Sequence, residues 1–233
     1  DQSGGFLGFQ SNVQKDINGG YRSGARGALR FDFSDRFSLD LTGWVQKAEL
    51  AGRGLYNEST PLESDFFGSN FVGQDFHYYN ATLNWTTNGF DIISSNTYYE
   101  IDTINIEDVT AFLARALGGL DGSIFSDPQQ LNNAFPAEAF SHETRLSFST
   151  AIGSMPINAV TGIFYQDEKS SRDQFIFDSG AIDDINATGI FPFDFGLLFD
   201  MQGIERGLWG FQRIPVELKQ VALFGEVALQ PTS

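Results

Sequence analysis

Tyr21-Arg22-Ser23-Gly24-Ala25-Arg26-Gly27-Ala28-Leu29-Arg30-Phe31-Asp32-Phe33 is the stretch that decides the fold. Its odd positions carry Tyr21, Ala25, Leu29, Phe31 and Phe33, and its even positions carry Arg22, Arg26, Arg30 and Asp32. An extended chain turns successive side chains to opposite sides, so the stretch reads as a strand with one apolar and one charged face. The alternation lasts about six periods, which is long for a strand of a water-soluble protein.

The same pattern returns on both sides of short turns. After Ser34-Asp35-Arg36, a strand from Phe37 to about Leu50 sets Phe37, Leu39, Leu41 and Val45 against Ser38, Asp40, Thr42 and Gln46. Trp44 breaks the rule by standing among the polar positions. Phe76 to Thr86 sets Tyr79, Ala81, Leu83 and Trp85 against Asn80, Thr82, Asn84 and Thr86. Thr87-Asn88-Gly89 reads as a tight hairpin turn of the Asn-Gly kind. Phe90 to Asp102, Phe140 to Ala151, Ile157 to Lys169 and Val216 to Gln230 complete seven expected strands. Residues 4–13 are a candidate eighth.

Short turns near 35, 88 and 154 therefore alternate with long stretches at 51–75, 103–139 and 171–214. Such stretches count against a compact soluble domain. They suit an outer-membrane barrel, where turns on one side are short and loops on the other are long. Lipid leaves no partner for an unpaired backbone amide, so loops are pushed out of the hydrocarbon layer. One loop holds an expected helix, Glu107 to Leu117, with Val109, Phe112, Leu113, Ala116 and Leu117 on one face. Glu107 and Asp108 are expected in its first turn, where the helix dipole favours acids, and Gly118-Gly119 is expected to end it.

Composition narrows the function. Hydrophobic residues make up 41% of 233, enough for a core, and the 24 Phe and 25 Gly favour strands and turns. The absence of Cys excludes a disulfide scaffold, a thiolate metal site and a cysteine nucleophile. A net charge of −16 makes nucleic acid a poor partner, because phosphate binding needs clustered cations. The simplest reading of that acidity is a solvated surface; the sharper one is an acidic rim that attracts cations. No run of 18 apolar residues offers a transmembrane helix. No basic start with an apolar run marks a signal peptide, so the chain reads as a mature protein or an internal segment.

The candidate sites are few. His77 and His142 fall on different strands and read as isolated polar side chains rather than a metal pair. Asp178, Asp183 and Asp184 offer oxygen for a calcium ion, against the simpler reading of a solvated loop. Sequons at Asn57, Asn80, Asn84 and Asn186 are discounted, since two of them lie in expected strands. No phosphate loop or nucleophile elbow is present, so no catalytic residue is assigned and the chain reads as a non-enzyme. The third long stretch gathers Phe191, Phe193, Phe195, Phe199, Trp209 and Phe211 around Arg206. Of these, Phe191, Phe193, Arg206, Trp209 and Phe211 are the candidate ligand contacts, suited to stacking on a ring or closing a lid. The plainer alternative is that they pack the loop onto itself. Arg22, Arg26 and Arg30 form a row on the polar face, placed to guide an anionic ligand or to pair with acids of another segment.

Four segments carry a family resemblance. Ser141-His142-Glu143-Thr144-Arg145-Leu146-Ser147 resembles a barrel strand of TonB-dependent outer-membrane receptors that follows a long loop. Ala159-Val160-Thr161-Gly162-Ile163-Phe164-Tyr165-Gln166 resembles the next strand, Gln220-Val221-Ala222-Leu223-Phe224-Gly225-Glu226-Val227 a later one, and Gly24-Ala25-Arg26-Gly27-Ala28-Leu29-Arg30-Phe31 an earlier one. They occur in the family's order and span nearly the whole chain. The resemblance implies an all-β, antiparallel up-and-down meander forming part of a plugged, 22-stranded transmembrane barrel. At about 30 residues per strand such a barrel needs roughly 660, so residues 1–233 read as about a third of one. It further implies energised uptake of a scarce nutrient, first of all a ferric siderophore. The implied partners are outer-membrane lipid, the iron complex and TonB, reached through a plug domain. No cofactor is implied. The plug is absent here, and the last residue is Ser233 where the family ends on an aromatic. Two other classes compete: a complete passive porin, and a secreted β-sandwich that binds carbohydrate, whose apolar strand face needs a second sheet to cover it.

Overall fold

The computed structural model describes residues 3–4, 14–15, 19–51, 70–117, 119, 122–153, 155–177, 180–194, 197 and 208–229. The fold is all-β: one open sheet whose seven strands, β3 to β9, pair in sequence order. They are β3 (Gly20–Ser34), β4 (Phe37–Ala51), β5 (Phe71–Thr86), β6 (Phe90–Asp108), β7 (Gln130–Ile152), β8 (Met155–Phe177) and β9 (Leu208–Leu229), every neighbour antiparallel. Two-residue strands β1 (Ser3–Gly4) and β2 (Gln14–Lys15) pair only with each other. The expected eighth strand at 4–13 lies, apart from Gly4, outside the described residues.

The hairpin turns all lie at one end of the sheet. Between β3 and β4 the ladder shifts register between Asp32 and Ser34. Between β5 and β6 the turn sits where expected, but Gly89 does not take the positive φ of an Asn-Gly turn. Thr87 closes it instead, its backbone N and Oγ1 each donating to the Phe90 carbonyl at 2.8 Å. Between β7 and β8, Gly153 has φ 64, a left-handed value that disfavours any side chain.

At the other end the expected long stretches prove shorter. β5 begins at Phe71 rather than 76, β6 runs to Asp108 rather than 102, and β7 begins at Gln130 rather than 140. β8 continues to Phe177 and β9 begins at Leu208, so both ends of 171–214 are strand. The expected helix is α1 (Thr110–Ala116); Glu107 and Asp108 belong to β6, not to its first turn. Asp108 nonetheless holds the helix start, its Oδ1 accepting from Thr110 N at 2.9 Å and from Thr110 Oγ1 at 2.6 Å. Gly119, at φ 81, donates to the Arg115 carbonyl and terminates it. The buried residues of α1 are Thr110, Leu113 and Ala114, whereas Phe112, expected on the buried face, is 70% exposed. A second helix, α2 (Ala181–Ala187), lies within the third stretch where none was expected.

These pieces build a small apolar cluster at the loop end. Leu113, Ala114, Phe125, Ala181 and Ile185 are buried together, with Val109, Leu117, Ile124 and Phe191 against them. Ser126 ties the two connections together, its N and Oγ donating to Asp184 at 2.6 and 2.7 Å.

Candidate functional site

Two-residue periodicity sorts the sheet into two faces, and the register shows which side chains share one. Leu29, Phe31, Leu39, Leu41, Leu83, Leu223 and Val227 stand on the first; Arg22, Arg26, Arg30, Asp40, Asn84 and Glu226 stand on the second. This is the sorting that alternation in the sequence implied.

On the first face the chemistry changes at a boundary. From β4 to β9 the last residues before the charged zone, going away from the hairpins, are Val45, Tyr79, Tyr98, Phe140, Tyr165 and Val221, with His77 standing between Tyr79 and Asp75 on β5. The next residues on that face are Lys47, His77, Glu100, Glu138, Asp167 and Lys219. Between boundary and hairpins no described Asp, Glu, Lys or Arg stands on this face. Aromatic residues mark both limits: Tyr79, Tyr98, Phe140 and Tyr165 above, and Phe33, Phe37, Trp85, Phe90 and Phe148 below. Phe140 and Tyr165 lie 6.4 Å apart, Trp85 and Phe90 5.9 Å, Phe33 and Phe37 5.3 Å. Within this band, His142 bonds Asn96 Oδ1 at 2.8 Å and Thr144 Oγ1 at 3.0 Å, so both imidazole nitrogens have partners.

Beyond the boundary the same face is laced with ion pairs: Lys47–Glu49, Lys169–Glu138, Lys219–Asp167 and Arg213–Asp173. Hydrogen bonding from Arg213, at 2.6 Å, holds the Asp173 carboxyl below its usual range. Two like-charge pairs, Asp75 opposite Asp102 and Glu100 opposite Glu138, also sit here. Directly opposed like charges repel across a ladder, which fits a zone bathed in water. Glu100, Asp102, Glu138 and Lys169 line a 270 Å³ pocket in this zone. Among the described residues no group of three or more His, Asp or Glu is placed to hold a metal ion.

The second face is polar and bonded to itself. Arg30 donates to Asp32 and Asp40, Asn84 to Asp40, Asn80 to Ser95 and Thr97, and Gln174 to Asn133. Gly162 lies among these side chains because nothing larger fits: a Cβ there would run into the Phe224 ring and the Thr144 carbonyl. The Arg145 guanidinium sits 6.0 Å from the centre of that ring.

Apolar side chains interrupt this face on β9, at Ile214, Val216, Leu218 and Phe224, and an aromatic patch interrupts it on β4 and β5. The rings of Trp44 and Phe76 meet edge to face at 4.8 Å, and Phe76 stacks with Tyr78 at 6.4 Å. Arg26 is the direct cross-strand neighbour of Trp44. The arginine row is thus real as a row but not uniform: Arg30 is paired, whereas Arg22 and Arg26 have no partner among the described residues. The alternation flagged Trp44 as out of place; joining it to Phe76 and Tyr78 needed the register.

The aromatic loop residues divide differently. Phe191 packs on the apolar cluster at the loop end, so it supports the loop. Phe193 lies 5.8 Å from Phe191 and is 45% exposed, leaving it available to a ligand. Trp209 and Phe211 belong to β9 by backbone, with side chains outside the described residues. Arg206, Phe195, Phe199, Asp178 and Asn57 lie outside the described residues altogether. Asp183 and Asp184 lie in the first turn of α2, and Asp184 is engaged by Ser126. Asn80 and Asn84 are strand residues on the polar face, and Asn186 is in α2.

No helix among the described residues is long and apolar enough to cross a membrane, which leaves crossing by strands open. No family model matches this chain, and no curated protein matches it. The likeness to TonB-dependent receptors therefore rests on the four quoted strand segments alone.

Proposed function

We propose that this chain is part of a transmembrane β-barrel of an outer membrane, and that its polar face lines a passage for a small nutrient. The charge boundary on the first face carries the reading. Below it lie bands of about nine residues, such as Phe140–Phe148, Ile157–Tyr165 and Val221–Leu229, the length that crosses a hydrocarbon layer as a tilted strand. Aromatic residues at both limits suit the two interfaces of a bilayer.

The boundary also carries a tilt. It is level between β5, β6 and β7 and between β8 and β9, but slips two residues toward the hairpins from β4 to β5 and again from β7 to β8. Four residues in five strand steps, at ~3.3 Å per residue and ~4.8 Å per strand, correspond to a tilt of about 30°, near the range of closed barrels. A soluble sheet has no reason to keep such an oblique line free of charge on one side.

Within this reading, long ladders and capping loops face the outside, and energised uptake of a nutrient such as a ferric siderophore through a TonB-dependent receptor is the favoured role. The aromatic and cationic groups on the polar face and on the loops support a receptor over a passive pore. A soluble carbohydrate-binding module fits less well, because no second sheet covers the apolar face among the described residues.

The chain has no cysteine, which makes the test clean. Single cysteines carrying an environment-sensitive dye at Leu41, Leu83 and Leu223 should be quenched by bromine-labelled lipid after folding into vesicles. Dyes at Lys47, Glu138 and Lys219 should be quenched only by aqueous iodide. Equal aqueous quenching at all six positions would rule out the membrane reading.

A further inference from the structure

The aromatic patch on the polar face has no structural task that the described residues reveal. Trp44 is 39% exposed, and its direct cross-strand neighbours on that face are Arg26 and Tyr78, with Thr42, Gln46 and Asn80 around them. Aromatic rings exposed beside hydrated polar groups keep their flat faces available for stacking, and each ring so used contributes substantially to binding. Arg22 and Arg26 stand on the same face one strand away, in a chain whose net charge is −16. Two cations without a carboxylate partner among the described residues favour an anion brought from elsewhere. The patch also has a definite depth. Trp44 and Tyr78 are sequence neighbours of the boundary residues Val45 and Tyr79, so it lies directly behind the upper limit of the apolar band.

We propose that Trp44, Phe76 and Tyr78, with Arg26 and Arg22 beside them, form a binding site for a flat ring bearing a negative charge. The ring stacks on Trp44 and Tyr78, and the anionic group lies toward the β3 edge, where the guanidinium of Arg26 meets a carboxylate in a forked pair of hydrogen bonds. The site rests on the reading of the polar face as a passage wall, and at this depth it is reached from the loop end. A neutral ring loses the arginine contacts, and a saturated acid loses the stacking. Selectivity therefore needs both features in one molecule. Arg30 takes no part, since Asp32 and Asp40 already engage it.

The test uses the whole chain in detergent micelles, with Trp85 and Trp209 replaced by Phe so that Trp44 alone fluoresces. 2-Naphthoate should quench this emission saturably. Neutral 2-naphthalenemethanol and cyclohexanecarboxylate, the latter followed by competition, should each bind about tenfold more weakly. R26Q should weaken naphthoate about tenfold and leave the neutral alcohol unchanged, a split that a merely structural arginine would not produce. Y78L, followed by the same emission, should weaken both aromatic probes. If R26Q and Y78L each hold naphthoate within twofold of the parent, or naphthoate does not bind, the site is wrong. Dye quenching in vesicles, run on the same variants, separates the two failures. Lipid-facing dyes without naphthoate binding would sink the site alone; naphthoate binding without lipid contact would sink the membrane reading and leave the site.

Discussion

The first face of the sheet is two surfaces joined end to end. Near the hairpins it presents Leu29, Leu41, Leu83, Ile163 and Leu223, of which Leu223 is 81% exposed, with no described acid or base beyond His142. Past Tyr79, Tyr98 and Phe140 the same strands, in the same ladders, present Glu100, Glu138, Lys169 and Arg213. Backbone pairing continues across the change, so secondary structure does not cause it. Under the proposed membrane reading, what differs is the medium that each part meets. On that reading the comparison teaches that strand length and membrane thickness are set separately: strands of 22 and 23 residues would cross a layer that needs about ten and spend the remainder in water.

The sharpest way to break this comparison is to put one charge in each zone. Leu41→Arg should cost about 2–4 kcal/mol in urea titrations of vesicle-folded protein if Leu41 lies near the bilayer middle. Ser171→Arg, on the same face beyond the boundary, should stay within about 0.5 kcal/mol. Equal costs would mean that the two zones share one environment. A smaller effect tests whether packing rather than medium governs the hairpin half. Gly162→Ala drives a methyl into Phe224 and the Thr144 carbonyl and should cost about 1–3 kcal/mol in either lipid or detergent. A cost confined to lipid would assign that strain to the bilayer instead.

Acid sharpens the ion-paired half. The Asp173 carboxyl titrates below its usual range because Arg213 donates to it, so its contribution is present above the unfolded value and lost as pH falls through the lower, folded one. Arg213→Gln should therefore flatten the stability profile in that acidic window and leave it unchanged near neutrality in shape. A parallel offset at every pH would show that Arg213 acts by packing alone. The smallest expected effect is at Lys219. Removing its 3.5 Å contact with Asp167 by Lys219→Ala should change stability by less than about 1 kcal/mol, and less still in high salt.

The hairpin half was legible in the sequence because one of its faces is apolar. There the two-residue period of hydrophobicity equals the period of the backbone, and strand, register and face follow from the same positions. The far half carried no such contrast. Ser170-Ser171-Arg172-Asp173-Gln174 is polar on both faces, so hydropathy reads it as loop although its backbone pairs with β7 and β9. Pairing there is inherited from the ladder below rather than written in the local residues. Helix α2 escaped for a related reason: at seven residues it is too short for a helical period to stand out, and its Asp183-Asp184 read as solvent-facing. The row Arg22, Arg26 and Arg30 was visible as spacing, but which arginine is spent on Asp40 required the cross-strand register.

The long ladders beyond the boundary also decide where the molecule can be cut. A protease must draw several residues of unpaired backbone into its own cleft. From Glu100 to Asp108, from Gln130 to Glu138 and from Lys169 to Phe177, the backbone is already held by neighbouring strands. Cleavage at that end of the sheet is thereby steered away from the ladders and toward connections such as 109–129. Even there, one nick between β6 and β7 need not release a fragment, because Ser126 and Asp184 fasten that connection to the one after β8. Cut in that connection, the structure keeps its ladders.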